Sequence, residues 1–467
     1  MKKMAGKVRA ALQATQADLE PGLSEDSRGK EDALALPADF ELSEEFRDAF
    51  EAIEKTNDCL CVTGEAGTGK TTLLKYLRRH TQKPHVVLAP TGIAAVNCYG
   101  QTIHSFFRFP HKLIRREQIR KIARASKIFS RLQLLIIDEA SMMRADLLDG
   151  IDYALRLNRN RMEEPFGGVQ VALFGDLFQL APIVERDLSE YYGEFYPTPY
   201  FFSAAVFREM RFGRAHLRKI YRQRDLDFKS LLNKIRNGTF EEADLERLNS
   251  RVDPKRCDSC EDGIILTPTN AAAARINEMR LARLAGEAYA YQAAVDGEFD
   301  ETSYATSSEL RLKVGSQVLM VKNDPEKRWV NGSVGEIVGL QEDAVRVRIG
   351  GKVHSVEPAT WEKIRYRYDR QTGEISEEVT GSFRQYPVKL AWAMTIHKSQ
   401  GLTFEKVILD LHGGAFAHGQ VYVALSRCRS MEGLALRRPV RARDIIFDER
   451  VQNFTDEFSR QSADVYA

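Results

Sequence analysis

The chain has 467 residues, 43% hydrophobic and 29% charged, and its net charge is only +2. That length supports two to four domains with sizeable cores, and the charge balance excludes holding a polyanion by overall charge, so any such grip needs a local basic surface. Six cysteines exclude a disulfide scaffold, and no apolar run approaches the roughly 18 residues of a membrane span, so a cytoplasmic protein without a membrane partner is expected.

Residues 1–36 are polar and charged, which predicts a disordered arm or a loosely held helix. They lack the apolar core of a secretory signal, and Asp18, Glu20, Glu25 and Asp26 argue against a transit peptide. From about Phe40 short apolar runs alternate with helix-like segments: CLCVT (59–63), HVVLAP (85–90), LQLLIIDE (132–139) and VQVALFGD (169–176). Such runs suit strands buried on both faces, as in a parallel sheet covered by helices. The pattern returns in GIILTPTN (263–270), the helical AAAARINEMRLARLAG and KVILDL (406–411), so two α/β cores are the economical reading. Inside the second, RLKVGSQVLMVKNDPEKRWVNGSVGEIVGL (311–340) and AVRVRIGGKVHSVE alternate β-branched with polar residues. Asn331-Gly332 and Gly350-Gly351 read as hairpin turns there, and a small inserted antiparallel barrel fits.

The first run leads into GEAGTGKTT (64–72), in which Gly64, Gly69, Lys70 and Thr71 match G-x-x-x-x-G-K-[ST]. Glycines let the loop turn its N–H groups toward phosphate oxygens, the next helix adds its positive end, Lys70 reaches the outer phosphates and Thr71 holds magnesium. Asp138 and Glu139 follow a buried run, so Asp138 would hold the magnesium shell while Glu139 polarises the attacking water. Together these motifs point to magnesium-dependent NTP hydrolysis. Arginines in KIYRQRD (219–225) and VALSRCRS (423–430) could reach the nucleotide only across a cleft between the cores. Closing that cleft on the nucleotide and reopening it on hydrolysis would turn chemistry into a domain stroke.

In their order, GEAGTGKTT, APTGIAA, TIHSFF, LLIIDEASM, PFGGVQVALFGDLFQL, KIYRQ, AWAMTIHKSQGLTF and YVALSRC resemble the motifs of the Pif-one (petite integration frequency) family of 5′-to-3′ DNA helicases, superfamily one class B. The resemblance runs from about 40 to 434. It implies two RecA-like P-loop NTPase motor domains, 37–205 and 206–467. The first would carry a small wedge insertion at about 108–127, and the second an SH3-like β-barrel insertion at about 312–385.

Position by position, the resemblance implies a nucleotide site of Gly64, Gly67, Thr68, Gly69, Lys70, Thr71 and Thr72, with Gln400 and Gly401 nearby. Asp138 and Glu139 match the magnesium and water-activating pair, Gln179 the outer-phosphate sensor, and Arg222 and Arg427 the far-domain arginines. Thr91, Gly92, His104 and Phe107 fall at strand-binding positions of the first domain, and Thr395, His397, Lys398 and Ser399 at those of the second. ATP and Mg2+ are the implied cofactors, single-stranded and forked or tailed duplex DNA the partners, and a monomer the expected state. Two positions depart from the family pattern. Arg47 stands where a glutamine usually reads the adenine edge, which leaves adenine preference open, and Ala181 replaces a usual proline.

Some residues keep a plainer reading. Arg108, Lys112, Arg115, Arg116, Arg120, Lys121 and Arg124 also suit a solvated face, and Phe106, Phe107 and Phe109 also suit a core. His104 alone suits a core or capping histidine. Cys59 and Cys61 read as core. Cys257 and Cys260 form one CxxC without a second ligand pair, which reads as a reduced surface turn and not as zinc. The expected function is ATP-dependent 5′-to-3′ DNA unwinding in replication, recombination or repair. The alternatives are an ATP-switched binder of single strands or DNA–RNA hybrids with little unwinding, and a ring-forming ATPase that remodels protein.

Overall fold

The computed structural model describes residues 34–36, 40–110, 113–184, 192–221, 225–259, 263–326, 328–368 and 375–461; Lys112, Arg222, Cys260 and most of the N-terminal arm lie outside the described residues. Leu34, inside the expected arm, is buried.

The first lobe is built on six strands: β1 (Leu60–Gly64), β2 (His85–Ala89), β3 (Gln101–Thr102), β4 (Leu134–Ile137), β5 (Gln170–Gly175) and β6 (Gly213–Leu217). Every pairing is parallel and the order is β3-β2-β4-β5-β1-β6. All four residues of β4 are buried, as a strand covered on both faces requires. Helices α1 (Glu44–Lys55), α2 (Lys70–His80), α3 (Gly92–Asn97), α4 (Ile103–Phe107) and α5 (Ala145–Arg159) flank this sheet. In α1 the Ser43 hydroxyl caps the first turn, and Phe46, Ala49 and Ile53 recur on one buried face. A boundary at 205/206 cuts this lobe short. β6 is hydrogen-bonded to β1 over five residue pairs, and its sequence GRAHL carries too few large apolar groups to announce a strand.

The second lobe follows α6 (Leu226–Arg236) and takes strands from both sides of an insertion. It opens with β7 (Ile264–Thr267) and α7 (Asn270–Arg283). The insertion holds β8 (Tyr289–Gln292), β9 (Ala294–Gly297), β10 (Glu309–Leu312), β11 (Gln317–Met320), β12 (Val334–Leu340), β13 (Val345–Ile349), β14 (Lys352–Val356), β15 (Ala359–Tyr368), β16 (Ile375–Gln385) and β17 (Val388–Leu390). The chain then returns through β18 (Ala393–Thr395), β19 (Val407–Leu409), α8 (Gln420–Ser426) and β20 (Leu434–Leu436), and the last described element is α9 (Glu449–Gln461). The parallel sheet β18-β7-β19-β20 is the second core. Antiparallel β14-β13-β12-β11-β17 forms the insertion's main sheet; with β8, β9 and β10 before it and β17 after it, the insertion's strands reach beyond the expected 312–385 at both ends. Gly350 and Gly351 turn β13 into β14 with φ of 56° and 81°, the two positive values that a two-residue hairpin needs.

Beyond β6, the β15–β16 hairpin and the last helix of the 206–467 segment pack on the first lobe. The long β15–β16 hairpin crosses over to it: Glu377 pairs with the buried Arg78 at 2.8 Å, and the Tyr366 hydroxyl accepts from Val87 N–H at 3.0 Å. Helix α9 also returns there, with Phe454 stacked on Phe202 and Phe458 beside Phe207. In the expected wedge the pattern alternates. Phe109, Ile114, Ile119 and Ile122 are buried, whereas Arg115, Arg116, Arg120 and Lys121 are exposed. Asp146 and Asn158 of α5 accept the N–H groups of Ile114 and Ile122 and fix this segment.

Among the described residues no helix is long and apolar enough to cross a membrane. Cys59 and Cys61 are core residues, and burial pushes the Cys59 thiol up to about 12. Cys257 is fully buried, which corrects its reading as a surface turn. Among the described residues no group of three or more His, Cys, Asp and Glu converges for a metal.

Candidate nucleotide and nucleic-acid site

Helix α2 starts without a side-chain cap, and its N-cap Gly69 has φ 85°. Its first-turn N–H groups are therefore offered to an anion. No other residue suits position 69, because a Cβ there would lie 2.8 Å from the ring of Phe46. Lys70 Nζ donates to the carbonyls of Gly64 at 2.8 Å and Glu65 at 3.0 Å. Thr68 is buried and donates to the Glu65 carbonyl, so it shapes the loop. Thr71 is exposed at the head of α2, and Gly67 and Thr72 border the same cavity.

At the end of β4, Glu139 takes the left-handed conformation (φ 52°, ψ 39°) and donates its N–H to Asp138 Oδ1 at 3.0 Å. A glutamate held there stores backbone strain of the kind found at working sites. Burial, and then the Glu139 charge, push the Asp138 carboxyl up to about 7, against the pull of Lys70. The two crowded acids and Thr71 line one cavity and offer the oxygen donors that magnesium takes, and it needs few protein ligands when phosphates supply the rest. The residues present fit the ion.

Across the loop stands a buried polar wall. Asp176 accepts from Gln179 Nε2 at 3.2 Å and pairs with Arg236 at 3.2 Å. Burial would raise the Asp176 carboxyl, but Arg236 and Lys70 outweigh it and hold it below the usual range. Arg236 also lies over the Phe178 ring at 3.9 Å. Two side chains of the second lobe hydrogen-bond at this wall and the loop. Gln400 Nε2 donates to Gln179 Oε1 at 3.2 Å, and the Tyr422 hydroxyl accepts from Ala66 N–H at 3.1 Å. Asp176, Arg236 and Tyr422 are absent from the sequence reading. Asp176 and Tyr422 sit inside quoted motifs, so the signal was present. Arg236 ends an ordinary helix and gave none.

Arg427 is only 1% exposed. It borders the cleft, yet its guanidinium donates to the carbonyls of Val423, Ser399 and Leu402 and to the Ser426 hydroxyl. In this conformation those bonds hold it to its own lobe. Tyr221, which precedes Arg222, donates its N–H to the Gly67 carbonyl at 2.9 Å.

The strand-binding candidates divide. Thr91, Lys398 and His397 line the cleft, and burial lowers the His397 imidazole below its usual value. Gly401 borders it with φ 79°. Thr395 and Ser399 are buried, accepting from Lys398 N–H and donating to the Ile396 carbonyl, so they build the turn that presents Lys398. Phe107 is 3% exposed and stacked on Phe109 at 5.2 Å, which makes it core and not a stacking face for a base. His104 is half-buried, and its carbonyl accepts from Phe109 N–H. Gly92 is packed against Ser303 of the insertion, so closely that a Cβ would meet Ser303 Oγ at 2.2 Å. Arg47 is exposed on α1.

The cleft of about 1610 Å³ joins the phosphate loop of one lobe to the 395–401 turn of the other. Residues 41–246 match the family model described as PIF1-like helicase. The ATP-dependent DNA helicase Pif1 of Bdellovibrio bacteriovorus is 32% identical over 433 residues, covering 90% of this chain and 93% of that protein. The chain belongs to the PIF1-like helicase family.

Among solved structures of that family, the Bacteroides sp. Pif1 in complex with ADP-AlF4 superposes with a TM-score of 0.85 at 37% identity, over 91% of this chain and 98% of that one. The same Bacteroides protein bound to ssDNA covers the same shares at 37% identity but with a TM-score of 0.65. The PIF1-like chain thus stands closer to the complex solved with ADP-AlF4 than to the one with a strand. It spans about three fifths of the length of the Emericella, rat and human relatives it matches.

Proposed function

We propose that the chain is an ATP-dependent DNA helicase that moves 5′ to 3′ along a single strand as a monomer and separates forked or tailed duplex ahead of it. The observation that carries this reading is the bridged cleft: phosphate-loop residues and the 395–401 turn line one cavity, with Gln179 and Gln400 hydrogen-bonded across it. The Pif1 relatives with bound DNA support the choice of substrate, and their family supports the direction.

In this account Lys70 leaves the Gly64 and Glu65 carbonyls for the outer phosphates of ATP. Thr71 and Asp138 would hold magnesium, which when bound supplies neutralisation of phosphate charge. Glu139 takes the proton of the attacking water. Gln179 senses the outer phosphate and passes its loss to Gln400 in the other lobe. Arg222 and Arg427 supply charge to the transferring phosphoryl group, which for Arg427 requires the guanidinium to swing out of its carbonyl nest. Lys398, His397 and Thr91 grip the strand, and each cycle disrupts one base-pair step, about 1.4 kcal/mol of stacking. The test compares 5′-tailed with 3′-tailed duplexes, with and without ATP. Unwinding of the 5′-tailed substrate alone is expected; unwinding from 3′ tails alone would overturn the direction, and none from either the helicase reading.

A further inference from the structure

We propose that Tyr422 is the positioning residue through which a strand on the 395–401 turn acts on the phosphate loop. The inference rests on the motor reading and names one residue of its coupling. At one end of α8, the Arg427 carbonyl accepts from Phe404 N–H at 2.8 Å and Arg429 N–H donates to the Phe404 carbonyl at 3.2 Å, backbone bonds that tie that helix to the segment following the strand-facing turn whichever way the Arg427 guanidinium is turned. In its middle, the Tyr422 hydroxyl accepts from Ala66 N–H of the loop at 3.1 Å and donates to Asp176 Oδ2 at 3.4 Å. Asp176 is itself fixed by Arg236 and Gln179, so the hydroxyl has a single orientation. The ring is 4% exposed, and no water can replace either partner without opening the interface.

Helix α8 is one rigid element, so a displacement of the turn is carried to an amide of the loop that holds phosphate. The Gln400–Gln179 bond runs in parallel, but it joins two neutral amides at the cleft. The Tyr422 hydroxyl is instead buried and joins an amide of the loop itself to the Asp176 wall, so it is the more direct link to the phosphate loop. Contiguity alone does not establish coupling, so the test has to measure a coupling.

By reciprocity, a non-hydrolysable ATP analogue and a dT oligonucleotide change each other's affinity by the same factor. The experiment titrates a labelled dT oligonucleotide onto the full chain with and without AMP-PNP, for the wild type, Tyr422→Phe, Asp176→Asn and the double variant. Wild type is expected to show a ratio of affinities of about fivefold or more. Both single variants should bring the ratio to near one, and the double variant should add nothing. Phenylalanine keeps the ring in place, and Asp176→Asn reads the same hydroxyl from its acceptor side should Tyr422→Phe not fold. A wild-type ratio that survives in the folded variants would overturn the inference alone. A wild type whose ATP hydrolysis the oligonucleotide does not stimulate would overturn the motor reading, and this inference with it.

Discussion

The rings of Phe202 and Phe454 lie face to face, 4.1 Å between centroids and 5° from parallel. One belongs to the first lobe and the other to α9, near the end of the chain, so the second lobe is strapped back onto the first. Tyr200 reinforces the strap by donating to Asp448 at 3.0 Å. Phe454→Ala removes a stacked pair and part of its burial, and should cost about 2 kcal/mol. Thermal unfolding checks this: an unchanged midpoint would mean that α9 is not held to the first lobe.

Lys70→Ala should abolish ATP hydrolysis while oligonucleotide affinity changes little. Lys70 Nζ donates to loop carbonyls beside the phosphate site, and the strand candidates lie elsewhere in the cleft. A phosphate-release assay beside an anisotropy titration separates the two, and normal turnover would remove the phosphate-site assignment.

Arg427→Ala should slow turnover at saturating ATP by about tenfold or more, in line with the weight of such arginines in phosphoryl transfer. It should also weaken oligonucleotide binding, because Ser399 and Leu402 lose the donor that shapes their turn. Loss of turnover without any loss of binding would favour a purely catalytic role, and an unchanged rate would exclude that role.

His216 should make stability depend on pH. Its Nδ1 lies 3.1 Å from Thr63 Oγ1, and burial, then Arg214, Arg236 and Arg218, push the imidazole from 6.5 down to about 4. Below pH 6.5 the unfolded chain takes up a proton that the folded chain refuses until about pH 4. Stability present above that window is therefore lost as pH falls through it, by at most about 3 kcal/mol. Denaturant midpoints measured from pH 7 to pH 4 should fall less steeply for His216→Gln, and identical slopes would refute the assignment.

Short-range features were legible in advance. The apolar runs became the buried strands β1, β2, β4 and β5, and GEAGTGKTT became a loop ahead of an uncapped helix. β6 was not legible because polar residues alternate along an edge strand that pairs on one side only. Phe107 had two readings in the sequence, a strand-binding position and a core residue. A motif position suggested contact with a strand, and the packing of Phe106, Phe109 and Phe129 around it makes it core.

By itself the sequence determined the parallel cores, the phosphate loop, the acidic pair and the family, because each depends on residues close together in the chain. Only the tertiary structure decided that the β15–β16 hairpin and α9 return to the first lobe, that Arg427 faces inward, and that Tyr422 meets Ala66. Those contacts join residues tens to hundreds of positions apart. Burial and hydrogen-bond satisfaction over the whole molecule select such pairs, and no local pattern encodes them.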